Sequence, residues 1–357
     1  MLIVECNGSP FESKSPNSEQ IGVQHGTAAK IHIERCIAFY ASLFQKASKL
    51  DWPAVQDVAR RFEPHIQQKW PNYYEEMQGV AQGSGRSISD IIALNVRTEI
   101  AFGSFSDGCT SLAWQTEKRA YLGQNWDWKQ AQQENLIVLK IQQAGKPAIQ
   151  MISEAGIIGK IGLNSAGVGV CLNAIRAQGM DPTRLPVHLG LRMVLESATA
   201  KQAVAALESY GLAAAAHMLI ADPGDAVGLE VSALTTAQLL PDALGRVVHS
   251  NHFVLPHPGV VDTVWIQDSL FRIARLTDTS AALAAASSAS ANPNPSWAEV
   301  SRLFEDEENA PTAICRSETG PSDSATLFNI LMDLRQKKAV IRMGKPCHVD
   351  ETVTLEF

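Results

Sequence analysis

The stretch Ser106-Asp107-Gly108-Cys109-Thr110-Ser111 marks the point where the chain changes character. Before it, apolar residues recur at helical spacing; after it, they fall in short β-rich segments separated by glycines. A glycine followed by a thiol at the opening of a strand is also a chemically suggestive step. The thiol can attack its own preceding carbonyl in an N-to-S acyl shift, and glycine removes the Cβ that would hinder strain there. If the resulting ester hydrolyses, Cys109 becomes a chain terminus. Its α-amine, with a reference pKa of roughly 7.7 to 8.0, is then a base for its own thiol.

Working outward, residues 23 to 108 read as helical. The spacing of Ile33, Ile37, Tyr40, Leu43 and Phe44 gives an amphipathic helix over Ala28 to Leu50. Asp51 caps a second helix with Pro53 in its first turn, and Trp70-Pro71-Asn72 opens a third that Gly83-Ser84-Gly85 stops. Ser87-Ile88-Ser89-Asp90 is a capping-box start for a fourth. Beyond Cys109, strands are expected at Cys109 to Gln115, Ala120 to Trp128, Leu136 to Gln142, Ala148 to Ser153, near Ile161, and at Val168 to Leu172. Residues 186 to 210 return to helix, followed by strands at Ala216 to Ala221, Ala226 to Ser232 and Arg246 to Ser250. Thr279 to Pro295 is low in complexity, helical in its first half and loop at its end. Strand and helix blocks are segregated, which gives an α+β layered fold with antiparallel sheets and argues against a doubly wound nucleotide binder. Neither a G-x-G-x-x-G nor a Walker loop occurs, and no clean linker divides the chain.

Composition sets the outer bounds. The chain has 357 residues, 45% of them hydrophobic and 19% charged, as in a soluble globular protein. Thirty basic against 37 acidic residues leave a net charge of −7, with no basic stripe, so neither nucleic acid nor an anionic membrane is an expected partner. The most apolar window, Ala203 to Ala221, is broken by Glu208, Ser209 and His217, so no transmembrane helix is expected. The start, Met-Leu-Ile-Val-Glu-Cys, lacks the features of a secretory signal, and an intracellular protein is expected. Cys6, Cys36, Cys109, Cys171, Cys315 and Cys347 form no C-x-x-C pair and fit neither a disulfide framework nor a zinc site. Most are expected to be reduced and buried.

Eighteen residues beyond Cys109 lies Gly123-Gln124-Asn125-Trp126-Asp127-Trp128 on the next strand of a hairpin. A carboxylate there is expected to face the thiol, and a half-buried one needs a cation, which a terminal ammonium supplies. Taken alone, Asp127 is more often a turn or strand-end aspartate. Val248-His249-Ser250-Asn251-His252 puts an amide at a strand end, and Cys315-Arg316 puts a guanidinium after another. Each by itself is more often structural. His249 and His252 flank Asn251 but lack a third ligand at sensible spacing, so no metal is expected. Trp126 and Trp128 either line an acyl pocket or fill the core, and alternation, which sets both opposite Asp127, favours core. Glu154 to Val168 is glycine-rich and offers a phosphate cradle or two strands joined by the turn Asn164-Ser165-Ala166-Gly167; the turn is favoured. Cys315, beside Ala313 and Ile314, reads as buried.

Several segments together resemble the fungal isopenicillin N acyltransferase family of the N-terminal nucleophile hydrolase superfamily. They are Gly22 to Lys30, Leu94 to Glu99, Asp107-Gly108-Cys109-Thr110, Gly123 to Trp128, Glu154 to Val168, His249 to His252, Ile314-Cys315-Arg316 and Ala325 to Ile330. The resemblance implies a four-layer αββα sandwich, made as an inactive precursor that cuts itself at Gly108-Cys109. Residues 1–108 would become one subunit and 109–357 the catalytic one, held together as a heterodimer in one intertwined fold. It implies Cys109 as nucleophile, Asp127 as the carboxylate orienting its amine, Asn251 as the oxyanion-hole amide and Arg316 as the active-site arginine. Arg316 would either orient Asp127 or bind a substrate carboxylate. The implied activity transfers an acyl group from acyl-CoA or isopenicillin N to 6-aminopenicillanic acid through an acyl-thioester on Cys109, in penicillin biosynthesis, with amide hydrolysis as a side reaction. No resident cofactor is implied; acyl-CoA is a co-substrate, and penicillin-type amides are the other small-molecule partners.

One position supports that reading and two departures cut the other way. Gln124 stands where the penicillin V acylase and bile-salt hydrolase branch has arginine, which favours the acyltransferase branch. An extra segment, Ser13 to Gln20, interrupts the N-terminal motif. The chain ends Leu355-Glu356-Phe357 rather than in a peroxisomal S-K-L-type tripeptide, so cytoplasm is expected over peroxisome. The alternatives are a related amidase acting on non-β-lactam amides and a catalytically silent, uncleaved paralogue.

Overall fold

The protein is described by a computed structural model for residues 1–8, 17–101, 108–261, 266–288 and 294–357. Parts of three sequence expectations, the junction residues Ser106 and Asp107, the inserted segment from Ser13 and the Asn-Pro repeat before Pro295, lie outside these residues.

Two sheets stack face to face. One has eight strands: β1 (Leu2–Gly8), β4 (Leu136–Gln143), β5 (Ile149–Glu154), β6 (Ile161–Asn164), β7 (Gly169–Ala174), β8 (Ala216–Ala221), β9 (Ala226–Val231) and β10 (Thr236–Leu239), hydrogen-bonded in that order. The other has six, ordered β11 (Arg246–His249), β2 (Cys109–Gln115), β3 (Ala120–Trp128), β12 (Ala325–Asp333), β13 (Lys338–Lys345) and β14 (His348–Glu356). Pairing is antiparallel except for β1, which runs parallel to β4. The sheets are joined across their inner faces by polar contacts as well as packing. Gln124 on β3 accepts from the Leu172 amide of β7 at 3.0 Å and donates to the Leu172 carbonyl, and Ser111 on β2 donates to Asn173 at 2.7 Å.

Helices cover both outer faces and complete an αββα sandwich. On the eight-stranded side lie α1 (Asn17–Ala28), α2 (Lys30–Ala47), α5 (Pro71–Ser84), α8 (Val187–Leu195) and α9 (Ala200–Tyr210), with α3 (Trp52–Arg60), α4 (Glu63–Lys69), α6 (Ile88–Asn95) and α7 (Arg97–Ala101) packed among them. On the six-stranded side lie α10 (Asp268–Ser288) and α11 (Trp297–Leu303), where Leu276, Val300, Leu303 and Phe304 pack on Leu112, Trp114 and Tyr121. The caps form as the sequence predicts: the Asp51 carboxylate accepts from the Ala54 amide at 2.9 Å, and Ser87 and Asp90 close a capping box.

Helices α1 and α5 approach so closely that their glycines are obligatory. A Cβ on Gly22 would lie 2.0 Å from the Glu76 carbonyl oxygen, and one on Gly79 would lie 2.1 Å from that of Glu19. Gly26 and Gly83 repeat the arrangement one turn on, with 2.3 and 2.4 Å to the carbonyls of Val80 and Val23. The glycines of the Gly22 to Lys30 segment thus serve backbone packing.

The sequence reading passed over β1, which lies ahead of the helical stretch from residue 23, and, among the described residues, the separate helices α1, α4 and α7. The exposed-buried alternation of β1 is clear, but its parallel partner lies more than a hundred residues away and left no turn signal beside it. Strands β10, β12, β13 and β14 were likewise not expected. The helix expected within Thr279 to Pro295 begins eleven residues earlier, at Asp268, and it carries a residue of the site. Among the described residues no helix is long and apolar enough to cross a membrane.

Candidate active site

Cys109 is the first residue of β2, and it stands across from Trp126 of β3 in the antiparallel register. Side chains alternate faces along a strand, so this pairing assigns every nearby residue a side. Cys109, Ser111, Trp126 and Trp128 face the other sheet; Thr110, Asn125 and Asp127 face the α10–α11 layer. The expectation that Asp127 faces the thiol is therefore corrected. Its backbone amide donates to the carbonyl oxygen of Gly108 at 2.9 Å, and its side chain lies on the far side of the strand from the sulfur.

The Gly108-Cys109 peptide is gripped from the helical side. The Cys109 amide donates to Asn251 Oδ1 at 2.7 Å. The Cys109 carbonyl accepts from Arg272 Nη1 at 2.7 Å and from Ser250 Oγ at 3.1 Å. Arg272, buried on α10, also donates to Asn251 Oδ1 at 2.9 Å and Thr110 Oγ1 at 2.9 Å, and its Nε reaches Asp268 at 2.8 Å. These donors fix the orientation of the Asn251 amide: its oxygen points at the Cys109 nitrogen and its Nδ2 donates to the Ala174 carbonyl at 2.9 Å. Gly108 itself has room for no side chain. A Cβ there would lie 2.7 Å from Arg316 Nε and 2.8 Å from Asp127 Oδ2.

Asp127 is wholly buried. Thr326 donates to its Oδ1 at 2.6 Å, while Oδ2 lies 3.4 Å from Arg316 Nε without a hydrogen bond between them. Burial pushes its pKa up to about 7, with Arg316 and Arg272 offsetting only part of the desolvation. Arg316 is held in turn by Asp268 and, at 3.2 Å, by Ser322 Oγ. Its hydrogen bonds thus go to Asp268 and Ser322, with the Asp127 carboxylate a further anionic neighbour.

On the opposite face Cys109 lines a narrow cleft of about 50 Å³. Leu172, Ile175, Ala214 and Ala215 give it apolar walls, and Arg176, Glu99 and Arg97, the last paired with Glu154, are its charged lining. Trp126 and Trp128 belong to the buried core and also line this cleft, so the preference for core over pocket is corrected: they do both. Beneath Trp126 lies a buried charge cluster. Glu154 accepts from Arg97 at 2.7 and 3.1 Å, from Gln132 at 2.9 Å, and from Tyr40 and Lys160. Lys160 Nζ sits 4.0 Å from the Trp126 ring centre, a cation-π contact. Burial lowers its pKa to about 8, and Glu154 offsets part of that. Burial works to raise the Glu154 carboxyl, but Arg97 and Lys160 outweigh it and hold the group well below the ordinary range.

The structure brings Gly108, Cys109, Asp127, Asn251 and Arg316 together around one peptide bond. Sequence reasoning missed Arg272, Arg97, Glu154 and Lys160. The signal for Arg272 was an Asp268-Arg272 pair one turn apart on a helix; Arg97, Glu154 and Lys160 lay inside segments singled out above with no chemistry assigned to them. The segment from Asn164 to Gly167 is a turn, closed by the Gly167 amide on the Asn164 carbonyl at 2.9 Å with Gly167 at φ +91°. His249 hydrogen-bonds to Glu230 at 2.7 Å and His252 to Ser269 at 2.7 Å. Cys315 is buried as expected, whereas Cys347 is exposed.

Two stacked sheets between helical layers, with the Gly108-Cys109 step at the head of β2, make an αββα sandwich. The sequence profile of the family "Acyl-coenzyme A:6-aminopenicillanic acid acyl-transferase" matches residues 114–348. A relative from Emericella nidulans, acyl-coenzyme A:6-aminopenicillanic-acid-acyltransferase 40 kDa form, is 41% identical over 362 aligned positions, covering 100% of this chain and 96% of that protein. The structure of penicillin V acylase from Agrobacterium tumefaciens is similar over 70% of this chain and 86% of its own, with a TM-score of 0.46 and 16% identity. The chain belongs to the acyl-coenzyme A:6-aminopenicillanic acid acyl-transferase family, and it is an enzyme of acyl transfer.

Proposed function

We propose that the protein is a self-processing acyltransferase that moves an acyl group from acyl-CoA or isopenicillin N to 6-aminopenicillanic acid, with Cys109 as nucleophile. The observation that carries this reading is the division of the Gly108-Cys109 unit between two faces: its backbone is held by Asn251, Arg272 and the Asp127 amide, while Cys109 lines a cleft.

In the uncut chain the thiol attacks the Gly108 carbonyl, whose oxygen already accepts the Asp127 amide and so has a donor for its developing charge. The thioester bond to Cys109 forms as the peptide C–N bond breaks, and water then releases the Gly108 carboxylate. Residues 1–108 and 109–357 become two chains that stay together, since β1 of the first is hydrogen-bonded to β4 of the second. The freed α-amine lies beside Asn251 Oδ1 and serves as the base for the Cys109 thiol. Asp127 and Arg316 orient that amine and set its charge.

In the transfer step the Cys109 sulfur attacks the side-chain amide of isopenicillin N and expels 6-aminopenicillanic acid, water clears that acyl-thioester, and the sulfur then attacks the carbonyl of acyl-CoA and expels coenzyme A. The amine of 6-aminopenicillanic acid then attacks the acyl-thioester. Asn251 Nδ2, directed toward Ala174 at the cleft wall, supplies an oxyanion donor. The apolar walls suit an acyl chain, and Arg176 suits an anionic partner. Water in place of the acceptor amine gives amide hydrolysis as a side activity. The route needs no resident cofactor.

The test is the intact mass of the purified protein under denaturing conditions with N-terminal sequencing of any second fragment. A fragment starting Cys-Thr-Ser supports the reading, and acylation of 6-aminopenicillanic acid by phenylacetyl-CoA then identifies the transfer. A single uncut chain overturns it. Cys109→Ala is expected to lose both cleavage and activity; if it still divides after residue 108, cleavage is external.

A further inference from the structure

Cys315 and Cys347 have no part in the chemistry above, yet their sulfurs lie 3.0 Å apart although 32 residues separate them. Cys347 is exposed, in the turn of the β13–β14 hairpin beside the Lys345–His348 pair. Cys315 is buried in the segment leading into β12, with its amide bonded to the Asp306 carbonyl at 2.8 Å. Both segments are anchored. The Ile314 carbonyl accepts from Asn125 Nδ2 at 2.9 Å, and Lys345 Nζ bonds to Glu307 Oε1 at 2.6 Å. The sulfurs are thus presented to each other by fixed backbone on both sides. A disulfide requires about 2.05 Å between sulfurs, so each needs to shift by only about half an ångström.

Glu307 lies with the two sulfurs in a group whose ligand atoms are all within 4.8 Å of one another, which also offers a thiophilic cation three ligands. The spacing favours the covalent bond. Two thiolates on one tetrahedral zinc, each at about 2.3 Å, stand about 3.8 Å apart.

We propose that Cys315 and Cys347 form a reversible oxidation site for low-molecular-weight disulfides, cross-linking the β13–β14 turn to the segment that carries Arg316. The exposed Cys347 thiolate attacks one sulfur of the small disulfide and expels one small thiolate. Cys315 then attacks the Cys347 sulfur of the mixed disulfide and expels the second. The two protein thiols give up two electrons and two protons, and the small disulfide takes them up as two thiols. Arg316 follows Cys315 directly, so the cross-link clamps the guanidinium that contacts Asp127 and Asp268.

The test treats the full-length native protein with oxidised glutathione, alkylates the remaining thiols, and maps the digested peptides by mass. The expected product joins the peptides of Cys315 and Cys347 at about 2 Da below the sum of their thiol forms, and dithiothreitol reverses it. Cys347→Ser is expected to retain its fold and lose the cross-link. Oxidation should raise the melting midpoint of the wild-type protein by about 3 °C and leave that of Cys347→Ser unmoved. Recovery of both cysteines separately alkylated, glutathione left on Cys347, or zinc retained by uncross-linked thiols would each overturn the proposal.

Discussion

Asp127 and Cys109 belong to neighbouring strands of one sheet but to opposite faces of it, and they meet through Gly108, whose carbonyl oxygen accepts the Asp127 amide at 2.9 Å. The consequence is a separation of duties around one peptide bond. Groups that hold the Cys109 nitrogen come from the helical side, and the walls of the cleft come from the inter-sheet side.

Gly108 is the point where those two sides touch. In Gly108→Ala the added methyl would lie 2.7 Å from Arg316 Nε and 2.8 Å from Asp127 Oδ2. Arg316 is tethered by Asp268 and Ser322 and has little freedom to retreat. Self-cleavage should slow by about 100-fold or more, equivalent to about 2.7 kcal/mol of barrier, read as a time course of intact mass. Processing at the wild-type rate would show that this contact does not control the geometry of the bond.

Asp127 links the site to pH. Its carboxyl is raised from an ordinary 3.8 to about 7, so the folded state holds a proton that the unfolded chain releases. The associated stability is present below pH 3.8 and is lost as pH rises through about 7. Asp127→Asn removes this titration. Relative to the wild type, the variant should gain roughly 2 to 4 kcal/mol between pH 4 and pH 8, measured by denaturant unfolding at both values, and it should fail to process.

Arg272 bridges the Cys109 carbonyl, Thr110, Asn251 and Asp268 with one planar guanidinium. Lysine offers three donors from a single point and cannot span them. Arg272→Lys is expected to lower kcat/KM by about 100-fold, mainly through kcat, because the Asn251 amide loses the donor that fixes its orientation. An effect confined to KM would assign Arg272 to substrate binding instead.

The α1–α5 contact is a stability element remote from the chemistry. In Gly22→Ala the methyl meets the Glu76 carbonyl oxygen at 2.0 Å, and backbone must move to admit it. A loss of about 3 kcal/mol is expected in denaturant unfolding. Gly224→Ala, whose Cβ would have Asp222 Oδ1 at 3.6 Å as its nearest neighbour, should differ little from wild type.

Local signals carried much of this protein. The bounds of β2 and β3 are those that alternation and glycine punctuation predict, and the Asp51 and Ser87 caps and the Asn164–Gly167 turn follow from side chains bonding to nearby backbone. The Gly108-Cys109 step stood out in the sequence because the reaction proposed for it involves only adjacent atoms. The resemblance supplied roles for Asp127, Asn251 and Arg316, which local pattern marked only as polar groups near strand ends.

Tertiary structure decided the rest. Which face Asp127 occupies relative to the thiol depends on the β2–β3 register, and one residue of slip would have reversed it. Arg272 joins the site because α10 lies across the six-stranded sheet, and β1 becomes a strand because β4 is beside it. Lys160 and Glu154 are a buried charged pair only because the fold brings them together with Arg97, Tyr40 and Trp126 away from water. The physical reason is common to all four. A backbone conformation or cap is set by atoms a few residues apart, whereas the orientation of a buried charge is set by whatever the fold brings against it from elsewhere in the chain.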